Sequence, residues 1–593
     1  MKKVGLFLAF IGFACAASAA KGPKLAKEFA NVDPQSNVRV IVQWNSAPDD
    51  TKDQKVLNRG GLVHSRFRSV KGGVYTLPAS TLNDLANDPD VAYITPDRPI
   101  AAKLDNSAAA VNASTAWNAG WTGAGISVAV IDSGINPDPN LGKILFTYDF
   151  TNPNAVSTAN SFLASASSMT SSIAAAASAA YGPANDQYGH GQHIAGIIGS
   201  NGQSSNCKNC TRSFKGIAPG VNLVDLKVLD QNGQGSDSNI ILALDAAVAL
   251  KNIYNIRVIN LSLGRPVFES YTQDPLCQAV EAAWKAGITV VVAAGNEGRD
   301  NTFGEQGYGT VDAPGNDPYV ITVGAMKTEG TYTRTDDLIA SYSSKGPSQV
   351  DHIVKPDILA PGNLVVSLLA KGSTLSKEYP ANQVQLSYYE TNLTGKQANQ
   401  LSPNYFILNG TSMAAAVVSG AVADLVQANS SLTPDQIKLL LMQTSYKTFP
   451  QSSTVIDPTT GLSYTDYYDI FTVGAGYLDM AAALSSINSV PSAGTAMSPI
   501  ATYNSSTGAV TLSYDVSSIW GSQSVWGQQS VWGQQSVWGT SVLNGNQCVW
   551  GQQSVWGQQS VWGQQSVWGQ QSVWGQTTQN LSEAMNIAIT GEQ

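Results

Sequence analysis

Short apolar runs alternate with amphipathic stretches over most of the chain, from residue 110 to residue 488. The apolar runs predict buried strands at 126–131, 222–228, 258–261, 289–293, 320–323 and 364–368. Between several of them the apolar positions recur with helical spacing, as in 238–254 and 275–286. A strand that is apolar throughout must be covered on both faces, so this alternation predicts a parallel α/β sheet flanked by helices.

A different pattern precedes this region, at residues 37–99. Residues 38–44 alternate apolar and polar side chains like a strand, 80–87 have helical spacing, and 91–94 suit a closing strand. We therefore predict a small α+β unit here. Within the larger region, the stretch 154–180 is nearly all Ala, Ser, Thr and Asn and is predicted to be a surface insertion.

The first 20 residues have the pattern of a secretory signal peptide. Two lysines precede an apolar run that ends in small residues, so we expect a secreted protein, extracellular or associated with the cell envelope. In an oxidising compartment, Cys207 and Cys210 are predicted to close a small disulfide loop. Cys277 and Cys548 have no predicted partner.

Near the C-terminus the sequence becomes repetitive. Tryptophan recurs every six residues, with one gap of twelve, in the unit Trp-Gly-Gln-Gln-Ser-Val, at positions 520, 526, 532, 538, 550, 556, 562, 568 and 574. Because six is even, an extended strand would place every tryptophan on one face and every valine on the other. An ordered β array and a low-complexity tail both stay open as interpretations.

The overall composition narrows the range of partners. Only 13% of the residues are charged, and the formal net charge is −9. Nucleic-acid and membrane-surface partners are therefore disfavoured, because both need a basic surface. The chain has only four histidines, which limits the candidates for histidine chemistry.

Three separated segments carry residues suited to nucleophilic catalysis. Asp132 ends an apolar strand, His190 stands between glycines at the start of a helix, and Ser412 begins an Ala/Val-rich helix. In open α/β sheets such groups gather where strands end and helices begin. A serine hydroxyl needs a base to take its proton, an imidazole can be that base, and a carboxylate orients the imidazole. Asn296 follows the strand at 289–293 and suits a second oxyanion donor, beside the backbone amides at Ser412.

In the order Asp, His, Ser these segments resemble the subtilisin-like serine proteases, the subtilase family (peptidase S8). The resemblance implies a doubly wound, mainly parallel sheet flanked by helices. It also implies a triad of Asp132, His190 and Ser412, with Asn296 binding the oxyanion. It spans about 110–488 and includes the segments Gly216-Ile217-Ala218-Pro219, Ser262-Leu263-Gly264, Ser343-Ser344-Lys345-Gly346-Pro347, Lys355-Pro356-Asp357-Ile358 and Gly474-Ala475-Gly476-Tyr477.

The same resemblance implies where substrate binds. Gly235 is expected on an edge strand that pairs with an extended substrate. The walls of the pocket for the residue before the cleaved bond, the P1 residue, are expected to be small and uncharged. We therefore expect a preference for unbranched or aromatic apolar P1 side chains. The wall residues that the resemblance assigns are Ser262, Leu263, Gly264, Ala293, Ala294 and Gly295.

Residues 37–98 resemble the inhibitory propeptide of the family, which implies a small α+β, ferredoxin-like unit ahead of the enzyme. A zymogen of this kind is inhibited by its own propeptide until it cuts itself, here between Pro99 and Ser107. The predicted organisation is a signal peptide (1–20), an inhibitory propeptide (21–102), a subtilisin-like catalytic domain (103–489), a linker (490–519), the tryptophan repeat region (520–577) and a C-terminal tail (578–593).

Two residues beside catalytic positions depart from the family pattern. Gln192 stands where threonine is usual and Ala416 where proline is usual, but neither removes a catalytic group. No metal ligands are predicted, and His193 is expected to pack structurally, since a zinc pair with His190 lacks the acidic base of metalloproteases. Calcium, which many relatives bind, stays open as a cofactor. Asn140 stands where relatives use a carboxylate, and the sequence has no clear calcium loop.

The leading hypothesis is an exported serine endopeptidase, made as a self-processed zymogen and acting on proteins or peptides. The alternative is a catalytically weak surface-binding or adhesion protein that displays the tryptophans to a polysaccharide or an envelope layer. A peptide ligase or an esterase with the same triad also stays open, since all of them form an acyl-enzyme.

Overall fold

The structure, a computed structural model, describes residues 24–514 with gaps, together with Ile589, Gly591 and Glu592. The longest gaps are 103–109, 153–169 and 394–399. The predicted signal peptide, Cys548, the tryptophan repeats and most of the predicted insertion lie outside the described residues.

The N-terminal unit has six elements, β1 (Asn37–Trp44), α1 (Asp50–Leu57), β2 (Leu62–Arg66), β3 (Gly72–Pro78), α2 (Leu82–Ala86) and β4 (Val91–Pro96). Its strands form one antiparallel sheet in the order β2-β3-β1-β4, and the β-α-β-β-α-β order is ferredoxin-like. Alternate residues of β1, namely Val40, Val42 and Trp44, pack into a separate core with Tyr75 and Leu77. The predicted α+β unit is therefore present as a body with its own hydrophobic core.

The larger region is built on an eight-stranded sheet. All of its strand pairs are parallel except β13–β14, and the order is β14-β13-β12-β10-β6-β8-β7, with β15 also beside β13. The parallel α/β prediction is therefore confirmed. The strands are β6 (Ser127–Asp132), β7 (Ile144–Asp149), β8 (Asn222–Lys227), β10 (Ile256–Leu261), β12 (Thr289–Ala293), β13 (Ile321–Lys327), β14 (Leu338–Ile339) and β15 (Ile358–Pro361).

The predicted strand at 364–368 is present, but outside this sheet. It is β16, which pairs antiparallel with β18 after a turn at Leu364, whose φ is 57°. Its apolar pattern marks burial but does not specify a pairing partner. The strands outside the central sheet are β5 (Pro99–Ala102), β9 (Gln234–Ser236), β11 (Leu263–Gly264), β16 (Val365–Leu368), β17 (Gln383–Gln385), β18 (Leu401–Leu408), β19 (Ser452–Ile456), β20 (Ser463–Tyr467), β21 (Ile500–Asn504) and β22 (Ala509–Ser513).

Helices cover both faces of the central sheet. The helices of the larger region are α3 (Ala113–Asn118), α4 (His190–Gly199), α5 (Asp237–Tyr254), α6 (Pro275–Lys285), α7 (Thr374–Glu378), α8 (Thr411–Ala428), α9 (Pro434–Thr444), α10 (Ile470–Val473) and α11 (Met480–Ser486). Side-chain caps fix several starts, as where Asp274 accepts a hydrogen bond from the Leu276 amide ahead of α6. Helix α8 is long and apolar enough to cross a membrane, but 89% of it is buried in the fold, where it packs on β10, β12 and β13.

The chain continues to pack against this domain beyond residue 489. The hairpin β21–β22 lies within the predicted linker 490–519, and Ala501 joins a buried cluster with Tyr308 and Phe471. The linker prediction missed this hairpin because its strands are short and mostly polar. From the predicted tail, the buried Glu592 accepts hydrogen bonds from Arg299 Nη2 at 2.7 Å and from the Ser341 amide at 3.0 Å.

Candidate active site

Asp132 is the last residue of β6, in the middle of the central sheet. Its side chain is fully buried, and Oδ1 lies 2.6 Å from His190 Nδ1 and 2.7 Å from the Ser133 amide nitrogen, which donates to it. Within the described part of the chain Oδ2 has no hydrogen-bond partner. The sheet therefore delivers one carboxylate oxygen to the imidazole at the carboxyl end of a central strand.

His190 is the first residue of α4, directly after Gly189. The φ of Gly189 is 113°, and a Cβ built there would lie 2.6 Å from Ser373 Oγ, so both conformation and space require glycine. The imidazole is fully buried beside Asp132. The glycine thus sets the position at which the helix begins and the ring meets the carboxylate.

Asp186 connects the two loops that carry these residues, and the sequence analysis missed it. Its carboxylate accepts hydrogen bonds from Ser133 Oγ at 2.8 Å, from the Gly189 amide at 2.7 Å and from the Gln192 amide at 2.8 Å. Burial raises the pKa of Asp186, while these hydrogen bonds act in the opposite direction. The sequence signal that could have identified it is an aspartate four residues before His190, near a helix start, where aspartates commonly accept hydrogen bonds from backbone amides.

Gln192 fills the position at which the family pattern has threonine. Its Oε1 accepts a hydrogen bond from the Asn136 amide at 2.8 Å, and Asn136 Oδ1 accepts one from the Asp186 amide at 3.0 Å. Gln192 therefore ties helix α4 to the loop after β6. The other departure, Ala416, is fully buried within the unbroken helix α8.

Ser412 is the second residue of α8, after Gly410, whose φ is 137°. Its Oγ donates to the carbonyl oxygen of Ser262 at 3.1 Å, and Ser262 Oγ donates to the carbonyl oxygen of Ser412 at 2.6 Å. Ser262 follows directly after β10. These reciprocal hydrogen bonds hold the serine against the segment that sequence analysis assigned to substrate binding.

Asn296 lies three residues after β12 and faces the start of α8. Its Oδ1 accepts hydrogen bonds from the Thr411 amide at 2.9 Å and Thr411 Oγ1 at 3.2 Å. Its buried Nδ2 has no partner among the described residues. A buried unpaired donor costs about 1–3 kcal/mol, so it marks a place where an acceptor is expected. The backbone amides of the first turn of α8 are further donors on the same side.

A three-stranded antiparallel sheet lies beside these residues. Its middle strand is β5, which pairs with β9 on one side and β11 on the other. Ala101 is opposite both Gln234 and Gly264, and Ile100 is opposite Gly235. A segment of the chain itself therefore occupies the position that sequence analysis assigned to an extended substrate.

Comparison with known proteins agrees with this arrangement. The sequence model of the subtilase family (Peptidase S8) matches residues 123–468. The chain belongs to the subtilase family. It is similar to serine protease AprX of Bacillus subtilis (strain 168), with 33% identity over 392 residues, 64% of this chain and 75% of that protein. It is also similar to subtilisin E of the same strain, with 28% identity over 411 residues, 68% and 83% of the two chains.

Among solved structures, fervidolysin from Fervidobacterium pennivorans, a keratinolytic enzyme related to subtilisin, matches with a TM-score of 0.49 and 20% identity. That match covers 78% of this chain and 62% of fervidolysin. The family match and the curated relatives make this chain a subtilisin-like serine protease.

Two segments are predicted to form the walls of the P1 pocket, and Asp312 lies near both. One predicted wall meets the start of α8, since Gly295 exchanges hydrogen bonds with Thr411 Oγ1, directly before Ser412. The uncharged P1 pocket stays a prediction, and the buried carboxylate of Asp312 lies beside both predicted walls. A Cβ built on Gly264 would be 3.0 Å from Asp312 Oδ2, and one built on Gly295 would be 3.1 Å from it.

The other candidate ligands are used within the fold of this subtilase. His193 Nε2 lies 3.1 Å from the Phe406 carbonyl oxygen, and burial lowers the pKa of His193 to about 3, which fits the predicted structural role. Cys207 and Cys210 form the predicted disulfide, and Cys277 is a buried free thiol.

The position raised for calcium is also hydrogen-bonded internally. Asn140 Nδ2 donates to Asp138 Oδ1 at 2.7 Å and to Ser204 Oγ at 2.8 Å. In this arrangement the Asn140 amide presents N–H donors to its neighbours, and a cation needs oxygen ligands instead.

Proposed function

We propose that this subtilase is an exported endopeptidase, made as a zymogen, with Asp132, His190 and Ser412 as its triad and Asn296 as an oxyanion donor. One observation carries the proposal: the Asp132–His190 contact of 2.6 Å, the Ser412 loop and the unpaired Asn296 Nδ2 lie at one edge of the sheet. The strands β6, β10 and β12 are parallel neighbours, so the groups that follow them share one end of the sheet and have complementary chemistry.

Each group has a distinct role in peptide hydrolysis. Asp132 holds His190 through Nδ1, so that Nε2 is the nitrogen that takes the proton of Ser412 Oγ as the oxygen attacks the carbonyl carbon. Asn296 Nδ2 and a backbone amide of α8 donate to the oxyanion. His190 then gives its proton to the leaving amine, and water releases the acyl group by the same steps in reverse order.

Residues 21–102 are proposed to be the inhibitory propeptide. Support comes from β5, which occupies the strand position of a substrate, and from polar contacts of the N-terminal unit with α5. Asp97 accepts a hydrogen bond from the Ser238 amide at 2.8 Å, and the Arg68 amide donates to Asp245 Oδ2 at 2.7 Å. The unit therefore covers the cleft as long as the chain is intact.

Secretion is supported by the N-terminal pattern, by the Cys207–Cys210 disulfide and by relatives such as an extracellular serine proteinase of a Thermus strain. Contact of the tryptophan repeats with a polysaccharide or an envelope layer is a further part of this proposal. Its test is an internal deletion of residues 520–577, because a truncation near residue 489 would also remove the packed hairpin and Glu592. The deleted enzyme should keep its activity and lose envelope association; equal solubility of both forms would remove this role.

The test of the main proposal is Ser412→Ala, expressed with the full N-terminal region. We expect no peptide hydrolysis and a chain that keeps its N-terminal unit, while the wild type loses it. Ser431→Ala, at an exposed site just beyond α8, is the matched control and should process normally. N-terminal sequencing and intact mass measure the outcome. Undiminished self-processing of Ser412→Ala would overturn the proposal.

A further inference from the structure

The predicted tail places a buried acidic segment in the catalytic domain. The described residues of this segment are Ile589, Gly591 and Glu592, which follow the tryptophan repeats in the sequence. Ile589 joins the main hydrophobic core, and Glu592 is only 4% exposed. A glutamate is rarely buried unless cations and hydrogen-bond donors surround its carboxylate. Its burial therefore indicates a site with the shape and the charge to hold it.

Four buried residues surround Glu592, and we call them the glutamate site. Glu592 Oε1 accepts hydrogen bonds from Arg299 Nη2 at 2.7 Å, from the Ser341 amide at 3.0 Å and from Ser341 Oγ. Lys327 Nζ lies 3.5 Å from Oε2. Asn363 binds the backbone of the same residue, because it accepts from the Glu592 amide at 2.9 Å and donates to the Glu592 carbonyl at 2.8 Å. The site therefore recognises both the charge and the backbone of one glutamate.

The neighbouring residues of the tail make this recognition more specific. The φ of Gly591 is 69°, and a Cβ built there would collide with Asn409 Oδ1, so both conformation and space require glycine. Ile589 is buried among apolar side chains, and its carbonyl oxygen accepts a hydrogen bond from Asn382 Nδ2. The sequence that fits is Ile-Xaa-Gly-Glu, with separate contacts for its first, third and fourth residues.

One side of the glutamate site belongs to the loop that carries Asn296. Arg299 is three residues after Asn296. Between them the Gly298 amide donates to the Tyr342 carbonyl at 2.8 Å, which pairs this loop with the segment that starts at Ser341. The tail carboxylate joins the two segments at the end of this pairing, since it accepts hydrogen bonds from one residue of each.

The other side of the glutamate site lies beside the loop that leads to Ser412. Gly410, two residues before Ser412, donates from its amide to the Gly362 carbonyl at 3.1 Å. Asn363 is the next residue, and its side-chain amide both accepts from and donates to the backbone of Glu592. The docked tail is therefore bonded to segments next to both the nucleophile and the oxyanion donor.

We propose that the glutamate site binds an Ile-Xaa-Gly-Glu segment as a peptide ligand, supplied by the chain's own tail, and that its occupancy positions the nucleophile and the oxyanion donor. The part that concerns catalysis rests on the proposed function. Glu592 is a positioning residue, because it acts through Arg299 and Asn363. An empty site would lack a carboxylate beside two buried cations and would hold the two loops less firmly. We therefore expect an empty site to lower kcat and to leave KM nearly unchanged.

The first test is Glu592→Gln in the full chain, which keeps the size of the side chain and removes its charge. Because the loops that carry reacting groups shift, kcat for peptide hydrolysis should fall about 10–100-fold, with KM changed less than about threefold. Glu281→Gln, which removes an ion pair with Lys285 on α6, is the matched control and should leave both constants unchanged. Unchanged kcat for Glu592→Gln, or a change confined to the free energy of unfolding, would overturn the positioning role.

The second test supplies the segment as a separate peptide. Residues 587–593 are deleted, and the peptide Ile-Ala-Ile-Thr-Gly-Glu-Gln, amidated and with an N-terminal fluorophore, is added. Fluorescence anisotropy in the Ser412→Ala background, which does not cut the peptide, should show saturable binding. In the active background kcat should rise with the same saturation curve. Peptides with Gln in place of the glutamate, or Ala in place of the glycine, should bind at least roughly tenfold more weakly.

The outcomes separate the site from its effect on catalysis. No binding of the peptide to a folded, truncated chain would overturn the site, as would equal binding of all three peptides. Binding that leaves kcat unchanged would overturn the positioning role. If the truncated chain does not fold, the kinetics of Glu592→Gln in the full chain decide. If the wild type hydrolyses no peptide, the proposed function fails, while the anisotropy measurement still tests the site.

Discussion

The N-terminal unit and the catalytic domain are stabilised differently. The unit folds around a small core of its own, centred on Trp44 and Tyr75, whereas the domain has a continuous core on both faces of its sheet. The contacts between them are both apolar and polar. Ile41, Phe67, Val70 and Val74 of the unit join the buried hydrophobic cluster of the domain, and Gln43 Nε2 donates to the Gln273 carbonyl at 2.6 Å. Release of the unit would therefore expose apolar surface as well as break polar contacts, so the unit should stay bound for a time after the connection is cut. The two bodies are also joined by backbone hydrogen bonds beside the candidate active site, because β5 pairs with β9 and β11 of the catalytic domain.

The strongest test of this difference is Asp132→Asn, which should keep the two bodies connected. The amide cannot orient the imidazole as the carboxylate does, so kcat should fall by about 10⁴-fold and self-processing should stop. Peptide hydrolysis and intact mass measure both effects. Asp336→Asn, the same charge change on an exposed turn, is the control and should process normally. Rapid processing of Asp132→Asn would contradict the role of the carboxylate.

Asn296→Ala should give the next largest effect. Loss of the Nδ2 donor removes a hydrogen bond that forms only as the oxyanion develops, so kcat should fall by about 10²–10³-fold with little change in KM. Steady-state kinetics on one peptide measures this split. A rise in KM at constant kcat would instead indicate a role in ground-state binding.

Acid should affect the domain through His193. The unfolded ring takes a proton near pH 6.5, but the folded ring only near pH 3, so stability is full above about pH 6.5 and falls as the pH falls. Between pH 6.5 and 4.5 the loss from this group is about 2 kcal/mol. His193→Gln, which can still donate to the Phe406 carbonyl, should lose less stability on acidification. Denaturant unfolding of the processed enzyme at several pH values measures the difference, and equal pH slopes would contradict it.

The smallest expected effect concerns release of the N-terminal unit. Asp97 is fully buried, binds Arg39 and caps the start of α5 through the Ser238 amide. Asp97→Ala should weaken docking by about 1–2 kcal/mol, so activity should follow cleavage roughly tenfold sooner. The delay between cleavage on a gel and peptide hydrolysis measures this effect. Asp84→Ala, which breaks only an exposed ion pair with Arg59 in the same unit, should leave the delay unchanged.

Sequence patterns predicted the parts of the structure that depend on nearby residues. The strands of the central sheet, the α+β unit and the residues at strand ends and helix starts are visible in local periodicity and glycine placement. Local patterns did not predict the pairing of 364–368 or the packing of the hairpin β21–β22 on the domain. Residues distant in the sequence determine which strands pair and where a hairpin packs. Asp186 was missed for a related reason: it acts by joining segments that are far apart in the sequence.

The buried Glu592 has a consequence for cuts within the tryptophan repeats. On both sides of 520–577 the chain packs against the catalytic domain, through β21–β22 before the repeats and through Glu592 after them. A single cut among the repeats would therefore leave both new ends attached to the domain.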